Sequence, residues 1–435
     1  VLNSATAESE RTPTTRQLAM LAVPAVAVGV GCALMLTGLS VLAGKLQKLL
    51  WTSLPDWAGV TADSRWWTFG MLTVVGLVVG LVVWKMPGHA GPDPATTGLV
   101  AKPLAPSVLP SLALVVVVGL AGGVSLGPEN PIIAINTALT VWIVGRLWKQ
   151  VPTEVAVMLA AAATIGALFG TPVAAALVFT EMAAMHTGGQ LWNKLFAPLV
   201  AAGAGALTMI VLARPMLAVE VPGYDNPALV DLVSGTVIAV AAALLCLAAV
   251  YAFPVLHSFF HRLPNPLISI TAGGVLLGVL GAIGGPLTLF KGLDEMKELT
   301  AVADDKSTAQ LVVITVVKLL ALLVAATCGF RGGRIFPAVF IGVAVGLVAH
   351  SAVPGIPLVV AIATGVLGAT IVVARDGWIA LFMGAVVVSD VRILPVLCIV
   401  ILPLWLLVAN RPEMLIPSGP PLQSPQSDRN QEVTS

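Results

Sequence analysis

The stretch Gly127-Pro128-Glu129-Asn130-Pro131 decides how this chain is read. It sets one carboxylate inside sequence that is otherwise apolar enough and long enough to cross a membrane. The 26 residues from Pro103 to Pro128 carry no charged side chain, and neither do the 16 that follow Glu129. An acid in hydrocarbon costs at least a few kcal/mol and marks a functional site by default. Here it also stands where a Gly-Pro pair opens a helix, which makes it a candidate gate or proton carrier for an anion. An acid near a helix start can also simply cap its own helix, although a cap of that kind more often lies at a water-facing end.

Outward from that stretch, the composition sets the class. Of 435 residues, 58% are hydrophobic and 10% charged, against roughly 25% charged in a soluble domain. Uncharged runs cover 17–44, 66–84, 103–128, 156–180, 195–213, 232–256, 263–290 and 393–410. Each meets or approaches the ~18–20 residues that a helix needs to span hydrocarbon. They are continuously apolar, whereas the strands of a transmembrane barrel alternate. The sequence therefore predicts an all-α polytopic membrane protein.

The formal net charge of +1 gives no reason to expect nucleic acid. Cys32, Cys246, Cys328 and Cys398 lie in apolar runs without a CxxC pair, as small buried hydrophobes do. No cleavable signal sequence is expected in the polar segment 1–16, and 411–435, rich in Pro, Ser and Gln, is expected to be a disordered tail. No cytoplasmic regulatory domain is expected after it. No cofactor and no metal site are indicated. An intramembrane enzyme is disfavoured because no HExxH, Ser/Lys or paired-Asp arrangement and no nucleotide loop is present. A carrier for organic substrates needs more polar side chains in the apolar runs than this chain offers.

The 42 glycines and 31 prolines cluster at the ends of apolar runs, at Gly88–Pro94, Gly122–Pro131, Gly170–Pro172, Gly284–Pro286 and Gly329–Pro337. Such punctuation predicts broken or half-crossing helices, which a membrane protein tolerates only where backbone is buried or lines a cavity. Two breaks recur in order. Gly127-Pro128-Glu129 is followed about 40 residues later by Gly170-Thr171-Pro172 and then Glu181; Gly329–Pro337 is followed similarly by Ala374–Gly377 and then Asp390. The polar stretch 219–230 divides the two, giving expected membrane repeats 17–220 and 228–410. Lys and Arg are spread without a clear bias between loops, as two oppositely oriented halves would leave them.

A helix N-terminus carries about half a positive charge and unpaired N–H groups that welcome an anion. Three segments have that form: Asp93-Pro94, Gly127-Pro128 and Gly332–Pro337. Glu129 is then a carboxylate able to occupy an anion position and be displaced from it. Glu181, after 25 uncharged residues, either delivers protons toward Glu129 or simply ends its helix at the interface. Arg331 and Arg334 either raise local anion concentration or snorkel to the interface. A structural role is expected for Lys318, and an interfacial one for His89.

These residues resemble the CLC chloride channels and chloride/proton antiporters. Gly127–Pro131 is similar to that family's G-[KR]-E-G-P signature, Gly332-Gly333-Arg334-Ile335-Phe336-Pro337 resembles its G-x-F-x-P segment, Val178–Met182 its internal-glutamate segment, and Gly91–Pro94 falls where G-S-G-I-P belongs. The match covers about 18–415 and looks closest to a bacterial ion-transport branch. The resemblance implies a homodimer in the bacterial inner membrane, surrounded by lipid. Each subunit would be two inverted-topology repeats of tilted and half-crossing helices. Each would move chloride or a similar small anion, with protons possible. Carried over residue by residue, it makes Glu129 the gate and Glu181 the proton-transfer acid. Gly91, Gly127, Pro128, Asn130, Gly333, Arg334, Ile335 and Phe336 become the anion-binding set. The departures are a glycine, Gly91, where the family has a serine hydroxyl, and no tyrosine near Met414. They predict weaker binding on the inner side, hence passive or loosely coupled transport, with tight antiport through Glu129 and Glu181 as the alternative.

Overall fold

The computed structural model describes residues 15–61, 64–184, 191–213, 217–225 and 227–416. Most of the polar N-terminal segment and of the expected tail lies outside that set. The helices are α1 (Thr15–Lys48), which runs on through a wider turn at Leu49–Ser53 into α2 (Leu54–Ala58), α3 (Arg65–Lys85), α4 (Leu109–Ala121), α5 (Glu129–Leu147), α6 (Thr153–Phe169), α7 (Pro172–Ala184), α8 (Leu191–Leu212), α9 (Leu229–His261), α10 (Pro266–Gly284), α11 (Leu293–Ala301), α12 (Thr308–Thr327), α13 (Ile335–Ala352), α14 (Leu358–Ala374), α15 (Gly377–Val388) and α16 (Leu394–Val408). Among the described residues there is no strand, and nine helical stretches are long and apolar enough to cross a membrane.

Two expected spans are shortened or broken, and one expected helix start leads to no helix. Residues 103–128 hold a helix only from Leu109 to Ala121, because Pro103 and Pro106 remove donors on one side and Gly123 turns left-handed (φ 89°) on the other. Residues 156–180 break at left-handed Gly170 (φ 66°). The helix expected after Asp93 is a single three-residue turn, Pro94–Thr96.

Helices α4 to α8 and α12 to α16 form two runs of five. At the centre of each lies a 17-residue helix, α6 and α14, short for a span and buried almost throughout; every residue from Val359 to Val373 of α14 is buried. Such helices have their neighbours, not lipid, as surroundings. Small residues let the backbones meet. A methyl on Gly76 of α3 would lie 2.9 Å from the Ile270 carbonyl of α10, and one on Gly342 of α13 would lie 2.4 Å from Val366 Cα of α14. Some polar side chains inside the bundle find partners within it. Asn136 Nδ2 of α5 donates to Thr164 Oγ1 of α6 at 2.9 Å, and Thr164 Oγ1 to the Ala160 carbonyl at 2.7 Å. On the outside, Val237, Leu244, Val255, Val211 and Leu406 are exposed, as lipid-facing side chains are.

Candidate functional site

Two loops bring the starts of α5 and α13 together. Gly127 and Gly333 pair in an antiparallel bridge: Gly127 N donates to Gly333 O at 2.9 Å and Gly333 N to Gly127 O at 2.6 Å. Each loop then enters its helix within two residues, through Pro128 and through Arg334. Glu129 is the first residue of α5 and is 1% exposed. Its carboxylate reaches across to the other helix, where Oε1 accepts the Phe336 N–H at 2.8 Å. Oε2 is buried and has no hydrogen-bond partner among the described residues. The carboxylate lies over the two bridged glycines; a methyl on Gly127 or Gly333 would stand 1.9 or 2.3 Å from Oε2. An anionic group thus sits on the N-terminal amides of α13, where the helix dipole is positive.

The flanking cations are turned to backbone. Arg331 donates from Nε to Ala90 O (3.1 Å), from Nη1 to Gly329 O (3.0 Å), and from Nη2 to Gly91 O (3.1 Å) and His89 O (3.4 Å). Three of these acceptors, the carbonyls of His89, Ala90 and Gly91, belong to a run of four left-handed residues that begins at Gly88. Arg334 Nη1 donates to the Met414 carbonyl, and its guanidinium lies 5.8 Å from the Phe253 ring centre. Neither arginine snorkels. Lys318, fully buried, gives its ammonium protons to Thr288 O (3.2 Å), Leu289 O (2.7 Å) and Phe290 O (2.8 Å), with the Phe340 ring 4.9 Å away. Phe290 N in turn donates to Gly123 O at 3.0 Å, so Lys318 braces the loop that carries Glu129.

A cavity of about 320 Å³ opens beside the start of α13, lined by Asn130, Arg334, Ile335, Arg375, Asp376 and Met414 among others. Asn130 also borders a smaller cavity of about 70 Å³ that contains Thr137 and Arg331.

The structure brings together Gly127, Glu129, Gly333 and Phe336, with Pro128, Arg334, Ile335 and Asn130 beside them. It does not give Gly91 an anion-binding amide: that N–H donates to Gly88 O at 2.8 Å within its own turn. Asp93 is consumed, with Oδ1 on Ala95 N (3.0 Å) and Oδ2 against His257 Nε2 (2.9 Å). Glu181 falls on α7, and its side chain lies outside the described residues. The sequence reading missed three things. Arg375, on the cavity wall, ends the long uncharged run of α13 and α14, and that was its only signal. The Met414 carbonyl leaves no signal at all. The pair His257 and His261 is visible as a spacing of four, but its partner Asp93 is 164 positions from His257, and no metal ligand was expected.

An acid seated on a backbone amide at the start of a second helix, inside a bundle of broken apolar helices, defines a membrane transport protein. The chain belongs to the voltage-gated chloride channel family, whose model matches residues 71–403. It is 47% identical over 416 residues to "Putative ion-transport protein YfeO" of Escherichia coli (strain 55989 / EAEC), covering 96% of this chain and 99% of that protein. It is 48% identical over 400 residues to the protein of the same name in Salmonella newport (strain SL254), covering 92% and 97%. Its fold is similar to the crystal structure of a CLC-type fluoride/proton antiporter (TM-score 0.68, 17% identity, 92% and 98% of the two chains). It is also similar to that of a slow cyanobacterial Cl−/H+ antiporter (0.72, 18%, 90% and 95%). The chain is a multi-pass integral protein of the bacterial cell membrane.

Proposed function

We propose that this chain carries chloride or a similar small anion along a path that passes the N-terminus of α13, with Glu129 as its gate. The observation that carries the reading is the Glu129 carboxylate on the Phe336 N–H. A site that holds a carboxylate by backbone dipoles is suited to a small anion of the same charge. The two compete, and a dipole-built site releases its occupant more readily than a fixed full charge. The cavity beside α13, with Arg334 and Arg375 in its wall, supplies the approach from one side.

Transport is passive or loosely proton-coupled in this reading. Gly91 and Met414 stand where hydroxyl donors belong by resemblance, so neither position offers a side-chain hydroxyl to hold the anion while a proton moves. Tight exchange through Glu129 and Glu181 is the second reading. Its support is Oε2, a buried carboxylate oxygen with no partner, which is a natural seat for a proton. The names of the two structural neighbours, both antiporters, point the same way. In either case no bond of the substrate is made or broken. The halves 17–220 and 228–410 act as paired repeats, and two copies form a homodimer in lipid, each with its own path.

Proteoliposome flux tests the proposal. Wild-type vesicles are expected to pass chloride without driving protons uphill; stoichiometric uphill proton movement selects the second reading. Glu129→Gln is expected to remove all proton dependence and to change chloride flux at least tenfold. Unchanged flux and pH dependence in that variant rejects Glu129 as the gate.

A further inference from the structure

Away from the gate, Asp93, His257 and His261 hold three ligand atoms within 4.8 Å of one another. The histidines lie four apart on α9 and so share a face. Asp93 reaches them from the loop before the Pro94–Thr96 turn. Its Oδ2 lies 2.9 Å from His257 Nε2 and 3.1 Å from His261 Nε2. The two imidazoles stack with centres 3.8 Å apart and planes at 23°.

The protonation pattern is informative. His261 Nδ1 lies 3.0 Å from the His257 carbonyl, and a carbonyl only accepts, so that nitrogen carries the hydrogen. In a neutral ring Nε2 is then a lone pair, yet it faces a carboxylate oxygen at 3.1 Å. Two acceptors in contact need a proton or a metal ion between them. A second proton would place an imidazolium against its stacked neighbour. A metal ion instead satisfies both rings and the carboxylate at once.

The surroundings fit a metal. Ligand atoms bound tetrahedrally at about 2.0–2.1 Å are separated by roughly 3.3 Å, so the two distances from Asp93 Oδ2 to the imidazole nitrogens need to open by only a few tenths of an ångström. Hydrogen bonds behind the ligands orient them, Ala95 N on Asp93 Oδ1 and His257 O on His261 Nδ1, as outer partners do in metal sites. A cavity of about 240 Å³ lined by Asp93 and His261 gives entry and room for water as a fourth ligand. Arg331 borders the same cavity, but its donors are turned to the carbonyls of residues 89–91 and 329.

We propose that Asp93, His257 and His261 bind one divalent transition-metal ion of the zinc class, which clamps the loop containing Asp93 to the C-terminal end of α9. Two imidazoles and a carboxylate suit Zn2+ and not Mg2+ or Ca2+, which prefer oxygen.

The test uses the full chain, purified without a polyhistidine tag, stripped with chelator and titrated calorimetrically with Zn2+. One saturable ion per chain is expected. His257→Ala/His261→Ala should weaken it at least 100-fold, and His350→Ala should leave it unchanged. No saturable uptake, or full uptake by the double variant, overturns the proposal. Zinc-edge X-ray absorption of the wild-type protein provides a reading that no variant's folding can disturb. Two imidazole nitrogens and oxygen at about 2.0–2.1 Å are expected; sulfur ligands, or oxygen alone, overturn it.

Discussion

The approach to α5 and the approach to α13 are two versions of one turn. α4 and α12 end in the same conformation, at Gly122 (φ −86°, ψ 0°) and Cys328 (φ −85°, ψ −6°). Each is followed by a left-handed glycine, Gly123 (φ 89°) or Gly329 (φ 107°), and each then meets the other at the Gly127–Gly333 bridge. The difference is chemical. The first turn presents an acid, Glu129; the second presents bare amides and an arginine, Arg334. Their carbonyls are covered differently as well. Trp51 Nε1 and Phe290 N serve Ala121 O and Gly123 O, while Ser269 Oγ and Arg331 Nη1 serve Cys328 O and Gly329 O. Two acids at one bridge would repel, and two bare turns would have no side chain to move. Splitting acid from acceptor between the two turns makes a single site that its own protein can fill.

The sharpest way to break that pairing is to refuse the carboxylate its seat. A methyl on Gly333 would lie 2.3 Å from Glu129 Oε2. The atom it meets is the end of a flexible side chain, so the expected result is a displaced carboxylate in a folded protein. Gly333→Ala should therefore behave as Glu129→Gln does, with proton dependence lost and flux changed at least tenfold. Gly127→Ala should do the same from the other turn. Flux measurements that separate these variants from Glu129→Gln would mean that the carboxylate does not rest where the two turns meet.

The second comparison lies nine residues before the end of each preceding helix, where α4 has Leu112 and α12 has Lys318. Lys318→Leu makes the halves alike there and leaves the carbonyls of Thr288, Leu289 and Phe290 without their donor. A loss of about 3 kcal/mol is expected, from the cost of buried unsatisfied acceptors. Denaturation of the purified protein in detergent measures it. A variant as stable as the wild type would show that those carbonyls find other partners.

The membrane class and the acid were legible in the sequence because charge is rare in this chain and each break is marked by Gly or Pro. The pairing of Gly127 with Gly333 was legible only as two similar breaks, since a bridge between glycines leaves no side-chain pattern. Asp93-Pro94 has the form of a helix start, but the chain makes a single turn there and Asp93 turns to two histidines, a contact that spacing does not reveal. Gly91 occupies a signature position yet spends its amide on its own turn. Arg375 stands out in the sequence only as the end of a long uncharged run. Its place beside the α13 start depends on how α14 packs, which no local pattern encodes.

Arg375 also has a twin. It ends α14 in the left-handed region at φ 57°, where Gly170 ends α6 at φ 66°. A side chain there is strained by about 1 kcal/mol, and the second half keeps it regardless. Arg375→Gly should leave stability unchanged or raise it by up to about 1 kcal/mol. Chloride flux should fall severalfold as the cavity loses a cation. Unaltered flux would return Arg375 to a structural role.

The smallest effect concerns how the second half is fastened to the crossing segment 219–225. Tyr224 N donates to Asp390 Oδ2 at 2.8 Å, and Arg392 holds the same carboxylate at 2.7 Å and Asp225 at 2.5 Å. The Arg392 guanidinium first, and the Tyr224 N–H second, keep the Asp390 carboxyl well below the usual carboxylate range. A carboxyl depressed in the folded protein stabilises it at neutral pH. That contribution begins to fade as pH falls past about 4, the value of a free Asp, and is gone once Asp390 itself protonates. Asp390→Asn should lower the melting temperature slightly at pH 7 and make no difference at the acid end of that window. The pair is solvent-screened, so a small shift is expected. A difference between variant and wild type that persists undiminished into strong acid would mean that Asp390 holds the segment by shape and not by charge.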